Sequence, residues 1–435
     1  VMKRFSTTIA IFALAAFGLQ AQDKTYFISP KGNDNADGLS VSNAWKSIDK
    51  VNASAFQAGD RVLFEGGATF YGNLVIKSSG SPEKPIVFSS YGQGRPVINM
   101  GKEEGTAITI LNSDGLEIIG FEITSGYPPE VGVGRNGILI DEREPGKAFR
   151  HIVIKDNFIH DIWGQMGGTR LRCAGISGGV MRPWRGFPLP DNHSTLEDVL
   201  IEGNRIERVD KVGITTTGID KLRVRRNYMD NLGGDGIIVS SSYRAVVEFN
   251  EIHRSCMRSG LLDLPGDNGW AEKGEGWWPH TAACWIIGCE ETIMQFNEVY
   301  DTGRQFRNGD GFAYDFDFYC KRCIAQYNYS KENHGFLLMM YDIFENVARY
   351  NISENDKTHL VQMQGSLKSD NNILYNNVFY VDHGVSEVEY FRGDHPEKAK
   401  DIDDLGAHFY NNIFYATGQG QFRTAWSVGF AWDRT

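Results

Sequence analysis

Two aspartates, two positions apart in a run of aromatic residues, are the part of this sequence best suited to chemistry. The run is Phe312-Ala313-Tyr314-Asp315-Phe316-Asp317-Phe318. Read as a strand with strict alternation, Phe312, Tyr314, Phe316 and Phe318 share one face, and Ala313, Asp315 and Asp317 the other. The aromatic face must be core, so both carboxylates point outward, with Cα atoms roughly 6.6 Å apart at about 3.3 Å per residue. Like charges held that close raise the pKa of one partner, and a carboxyl still protonated near neutral pH is a general acid. The spacing lies near the boundary between the two carboxyl geometries of glycosidic hydrolysis, about 5–5.5 Å and about 6.5–9.5 Å, and leaves the stereochemistry open. Asp310, in Gly309-Asp310-Gly311, stands just upstream. The same three carboxylates are an oxygen-ligand set suited to Ca²⁺. A solvated strand face is the plain alternative.

Further titratable residues recur at one place in the repeat that surrounds this strand. The turns are Gly234-Asp235-Gly236, Pro279-His280-Thr281, Gly309-Asp310-Gly311 and Asn333-His334-Gly335. Aligned on the asparagines described below, they put Asp235, His280, Asp310 and His334 on successive coils along one edge, to within a few residues. Such tripeptides also make tight turns without any chemical role. Two stretches that interrupt the repeat add candidate substrate contacts. The segment 263–282 carries Trp270, Trp277 and Trp278 beside Glu275 and His280; indole faces stack on sugar rings, and Glu275 is a spare acid/base. The segment 163–195 carries Arg170, Arg172, Arg182 and Arg185 with Trp184, a set of forks that could clamp a carboxylate. Packing of the indoles onto the scaffold and local charge balance are the structural alternatives.

The scaffold that must position these groups is written in a recurrent asparagine. It closes VIKDN (Asn157), LIEGN (Asn204), RVRRN (Asn227), VVEFN (Asn250), IMQFN (Asn297), IAQYN (Asn328) and VARYN (Asn351), at intervals of 47, 23, 23, 47, 31 and 23 residues. The basic step is about 23, read here as occurring once or doubled, with one insertion. A period of this size made of short strands and turns predicts a solenoid, an all-β right-handed parallel β-helix. Each Asn is expected at a bend that needs a left-handed backbone residue, its amide bonded to the Asn of the next coil. Such a helix offers one long rigid groove, a shape that suits a polymer.

Around the repeat, residues 1–21 read as a secretory signal peptide: Lys3-Arg4, an apolar run from Phe5 to Leu19, and cleavage after Ala21. Residues 22–60 read as an N-terminal strand and a capping helix from about Ala44 to Ala53, with Trp45, Ile48 and Val51 on one face. Residues 61–435 are the β-helix, with 382–404 a charged surface excursion. GFAWDRT carries no obvious cap for a last coil, which suggests that the natural chain continues. No later run approaches the length of a transmembrane helix, so a secreted or periplasmic monomer without a membrane span is expected. A net charge of −11 over 435 residues argues against nucleic acid as a partner. Of the six cysteines, Cys289 and Cys320 each lie eight residues before an asparagine of the repeat. Stacking on adjacent coils would suit a disulfide; zinc held by Cys284, Cys289, Cys320 and Cys323 is the other reading.

The opening YFISPKGNDNADGLSVSNAWKSIDKVN, followed by GDRVLFEGGATFYGNLVI and GSPEKPIVFSSYG, resembles that of secreted β-helix proteins from polysaccharide-degrading bacteria. GDGFAYDFDF and IAQYNYSKENHGFLL resemble β-helix glycoside hydrolases of the pectate-lyase-like superfold. The resemblance covers most of residues 24–380 and implies a carbohydrate-active enzyme cleaving a polysaccharide or oligosaccharide, with the Asp pair as acid and base and no required cofactor. A polysaccharide lyase eliminating at a uronate, or a non-catalytic glycan-binding solenoid, are the alternatives. Arg182-Pro183-Trp184-Arg185 matches the pectate-lyase RxPxxR only superficially. The paired Asp-Asp and Gly-His-Gly of polygalacturonases are missing, Asn333-His334-Gly335 being the nearest element.

Overall fold

The structure is a computed structural model that describes residues 22–126, 134–164, 173–182, 192–257, 281–303, 311–357, 359–363, 369–389 and 407–425. The described strands form three parallel sheets, one of 14 strands and two of 12. Successive coils contribute one strand to each sheet, so the chain is a parallel β-helix. The first sheet opens with Thr25–Ile28, paired to Arg61–Glu65; the second opens with Thr69–Tyr71 and the third with Leu74–Ile76. Inward positions stack in register from coil to coil. Ile138, Ile176, Ile214, Ile237, Cys284, Tyr314, Leu337 and Val361 form one such column in the third sheet, and every one is buried. Fully burying an aliphatic side chain stabilises by about 1.5–3 kcal/mol, and this column is one of several that build the core. Tyr314 joins it because its hydroxyl lies 2.9 Å from each of the Asn297 and Tyr329 carbonyl oxygens, which share its one proton.

The asparagine ladder is present, and it corrects the count of coils. Asn157 Nδ2 donates to Asn204 Oδ1 at 3.0 Å, and Asn250 Nδ2 to Asn297 Oδ1 at 2.9 Å. Strand Phe158–Ile162 pairs directly with Arg205–Val209. Each 47-residue interval is therefore one coil lengthened by insertions, not two coils. Within the segment read as a loop, 163–195, Cys173–Val180 is an ordinary rung between Arg135–Glu142 and Val212–Thr217. Likewise Val385–Glu389, read as surface excursion, is a rung of the third sheet. The ladder also continues through Asn377 to Asn412.

The left-handed residue at each bend is the one before the ladder asparagine. Positive φ falls at Asp156, Arg226, Phe249, Phe296, Tyr327, Tyr350, Asn376 and Asn411, and at Gly203. This frees the Asn side chain to turn inward, where its amide also reaches a backbone carbonyl of the preceding coil, as Asn227 Nδ2 does to Ile201 at 2.9 Å. A bulky residue at positive φ is strained. On the outside Phe249, Phe296, Tyr327 and Tyr350 stack nearly parallel, with centroids 4.9, 5.1 and 5.2 Å apart, which offsets part of that cost.

The N-terminal helix is shorter than expected, Ile48–Asn52, with Ser47 as its N-cap accepting from the Lys50 N–H. Trp45 precedes it and is buried with Ile48 and Val51. All six cysteines are free and buried. Cys289 and Cys320 do sit level on adjacent coils, since Lys321 N–H donates to Cys289 O. Their thiols turn instead to backbone carbonyls, Cys289 to Val239 and Cys320 to Ile286. Among the described residues no group of three His, Cys, Asp or Glu is arranged to hold a metal ion, and no helix is long and apolar enough to cross a membrane. Residues 1–21 lie outside the described residues.

Candidate active site

Strand Phe312–Phe316 departs from strict alternation at its start, and this decides what faces outward. Ala313 and Tyr314 both belong to the interior core, whereas Phe312 packs with Ala282 and Leu338 in a separate cluster. The neighbouring coils do the same: Ala283 and Cys284, Phe336 and Leu337, Leu360 and Val361 are consecutive interior residues. The chain rounds a corner here, so one residue fills the corner and the next fills the sheet's inner face. Gly311 enters this corner at φ +108°. Phe312, expected in the core, is thus on the outer side. From Tyr314 onward the alternation holds, with Phe316 inward and Asp315 outward.

The outer column through Asp315 is continuous across coils. It reads Ser177, Thr215, Ile238, Trp285, Asp315, Leu338 and Gln362, each paired with the next. Asp315 is 5 % exposed. It sits between an indole on one coil and an aliphatic side chain on the other. Asp317 follows the strand and keeps the ladder, its N–H donating to Ile286 O at 2.9 Å, and it is half-buried. Its Oδ1 accepts from the Phe318 N–H at 2.7 Å.

Asp235 and His334 both lie at the third sheet's corner, one position out of line, within the few residues allowed for the expected alignment. Extending the register from Ile237, Cys284, Tyr314 and Leu337 puts Asp235 level with Ala282, Phe312, Gly335 and His359. His334 is one position earlier, level with Gly234. The insertions moved the alignment by one residue. Asp235 is 2 % exposed; its Oδ1 accepts from the Trp285 indole N–H at 2.8 Å and the Ala282 N–H at 3.1 Å. Burial pushes its pKa up to about 7 against those hydrogen bonds and the nearby Lys211. Lys211 is itself held below the usual lysine range by burial. At about 4.8 Å per coil and about 3.3 Å per residue, the Cα atoms of Asp235 and Asp315 lie roughly 14 Å apart, so they are not a close carboxyl pair.

His334 is fixed from behind. Its N–H donates to Thr302 Oγ1 at 3.0 Å, and Asn333 beside it donates to Ser330 Oγ at 2.8 Å. Asp356, fully buried, accepts from the Asn333 N–H at 2.9 Å and from the hydroxyls of Ser330 and Ser353 at 2.5 and 2.6 Å. The imidazole lies against Phe312 and His359, with centroids 6.5 and 6.0 Å away. Gly335 is required here: a Cβ would meet the Phe312 ring at 2.5 Å and the His359 carbonyl at 2.5 Å.

Of the loop residues, Arg182 is described, and its fork is engaged by Asp220 at 2.7 and 3.3 Å, a structural ion pair rather than a free clamp. Asp310, His280, Trp270, Glu275, Trp277, Trp278, Arg170, Arg172, Trp184 and Arg185 lie outside the described residues. Four residues escaped the sequence reading. Trp285 and Gln362 belong to the Asp315 column, and His359 borders His334. Thr281, buried, has no hydrogen-bond partner for its Oγ1 among the described residues. The signal available was positional, since outward sites two residues past each corner form one line.

No family model matches the chain. A curated relative, the lacto-N-biosidase of Bifidobacterium longum subsp. longum, is 27 % identical over an alignment of 493 positions, covering 93 % of this chain. The chain spans about 30 % of that relative's length. Two crystal structures of the GH136 lacto-N-biosidase from Eubacterium ramulus superpose with TM-scores of 0.69 and 0.65, at 22 and 20 % identity. They cover 90 and 92 % of this chain and 68 % of the other. The chain therefore shares the parallel β-helix architecture of these proteins along most of its length.

Proposed function

We propose that this chain is a secreted glycoside hydrolase acting on an oligosaccharide or polysaccharide, with Asp315 and Asp317 as its acid/base pair. The observation that carries the reading is the outer column itself. Trp285 and the buried Asp315 are register neighbours on the outer face of one sheet, and Asp317 follows two residues on, just past the strand. In this reading the sugar lies along the coils with one ring over Trp285. One carboxyl protonates the departing glycosidic oxygen; the other attacks the anomeric carbon or activates water. Asp315, the more buried of the two, is assigned as the proton donor and Asp317 as its partner. The carboxylates supply the chemistry without a cofactor. Ca²⁺ on Asp310, Asp315 and Asp317 would oppose it, since a carboxylate bound to a cation holds no proton to give.

The curated relative supports hydrolysis over elimination, and its name makes a lacto-N-bioside unit the first substrate to test. The engagement of Arg182 by Asp220 also takes one arginine from the set that a lyase would need. The test is incubation of the purified protein with lacto-N-bioside-terminated oligosaccharides and a panel of plant and algal polysaccharides. New reducing ends without an ultraviolet-absorbing unsaturated uronate support hydrolysis. Unsaturated ends favour a lyase, and absence of any product favours a binding protein.

A further inference from the structure

Asp235 is a buried carboxyl on the site sheet that the acid/base pair does not use. Its Oδ1 is occupied by two fixed donors, the Ala282 N–H and the Trp285 indole N–H. One of those donors is Trp285, whose register neighbours are Ile238 on one coil and Asp315 on the next. The Trp285 side chain packs against two outer apolar patches, Ala174, Val212 and Ile238 on one side and Ala282, Phe312 and Leu338 on the other. Apolar contacts hold an indole in place without choosing which way round it lies. A single buried N–H does choose, because turning the ring over would strand that donor without an acceptor.

We infer that Asp235 is a positioning residue: its carboxylate fixes the Trp285 indole as the floor of the sugar site beside Asp315. It transfers no proton itself. The inference rests on the hydrolase reading for the identity of the ligand and on the Asp235–Trp285 geometry for everything else. It assigns the substrate contact to the half-buried Trp285 side chain. The class of ligand is a neutral sugar ring, which stacks on an indole face without a charge partner.

The test uses the full chain labelled with ¹⁵N in its tryptophan indoles, with the Trp285 signal assigned by loss in Trp285→Phe. Asp235→Asn keeps an acceptor oxygen, and Asp235→Leu removes it. The expected result is a Trp285 indole signal slow to exchange in the wild type and in Asp235→Asn, and fast or shifted in Asp235→Leu. Lacto-N-biose titration should perturb that signal. With a cleavable substrate, Asp235→Asn stays within about threefold of wild-type kcat, while Asp235→Leu raises KM by about 10–100-fold, the scale of a misplaced substrate. A loss of kcat of about a thousandfold in Asp235→Asn with the indole signal intact would make Asp235 a proton-transfer group and overturn the inference. An unchanged signal and KM in Asp235→Leu would overturn it too. If the wild type cleaves nothing, the hydrolase reading fails. The exchange of the Trp285 N–H then still decides whether Asp235 holds it.

Discussion

The indole N–H of Trp285 donates to the carboxylate of Asp235 at 2.8 Å, joining residues 50 positions apart in the chain. The bond exists because Val212–Thr217, Ile237–Ser240 and Cys284–Ile287 are successive rungs of one sheet. It sets the electrostatics of the site, since it partly offsets the burial that raises the Asp235 pKa.

That burial predicts a pH dependence of stability. The folded pKa of about 7 lies above the ordinary aspartate value of 3.8. The contribution is therefore fully present below pH 3.8 and lost as pH rises through about 7. Lys211 is the charged group facing it; with its pKa lowered, it too favours the neutral form. Asp235→Asn should flatten the difference in unfolding free energy between about pH 4 and pH 8, by an amount on the order of 4 kcal/mol before the Lys211 offset. Urea unfolding at a series of pH values measures it; parallel curves for variant and wild type would contradict it.

Asn227 should be expensive to remove. Its Oδ1 accepts from both the N–H and the amide of Asn204, and its amide donates to Ile201 O and Asn250 Oδ1. Asn227→Ala leaves several buried groups without partners, a loss of about 2–4 kcal/mol at roughly 1–3 kcal/mol per unsatisfied group with partial relaxation. Asn35→Ala, at an exposed turn, is the control and should change the urea midpoint little.

Gly335→Ala should disturb the corner that carries His334. The new methyl meets the Phe312 ring and the His359 backbone, and the backbone contact cannot rotate away. Overpacking of this kind costs about 1–3 kcal/mol. The thermal midpoint should fall, and activity should fall further than stability explains, because Phe312, His334 and His359 move together.

The repeated asparagine made the architecture legible, because a buried amide ladder needs one residue type at one place in every coil. The outward Asp315 was legible from Tyr314 onward by alternation alone. What stayed hidden has a common physical cause. Insertions change the number of residues per coil without changing the rungs, so Cys173–Val180 read as loop although it pairs on both sides. The same insertions shifted Asp235 by one position relative to His334. Trp285 could not be joined to Asp235 from sequence, because only the register between coils brings them together. Corner residues break alternation, which placed Phe312 on the wrong face.

The most direct test of the central claim is the rate of glycoside cleavage by Asp315→Asn and Asp317→Asn beside the wild type, with folding verified by urea unfolding. The account predicts a fall in kcat of about 10²–10⁴-fold in each, the scale of losing a general acid or base, with the fold intact. Full activity in both variants would contradict it.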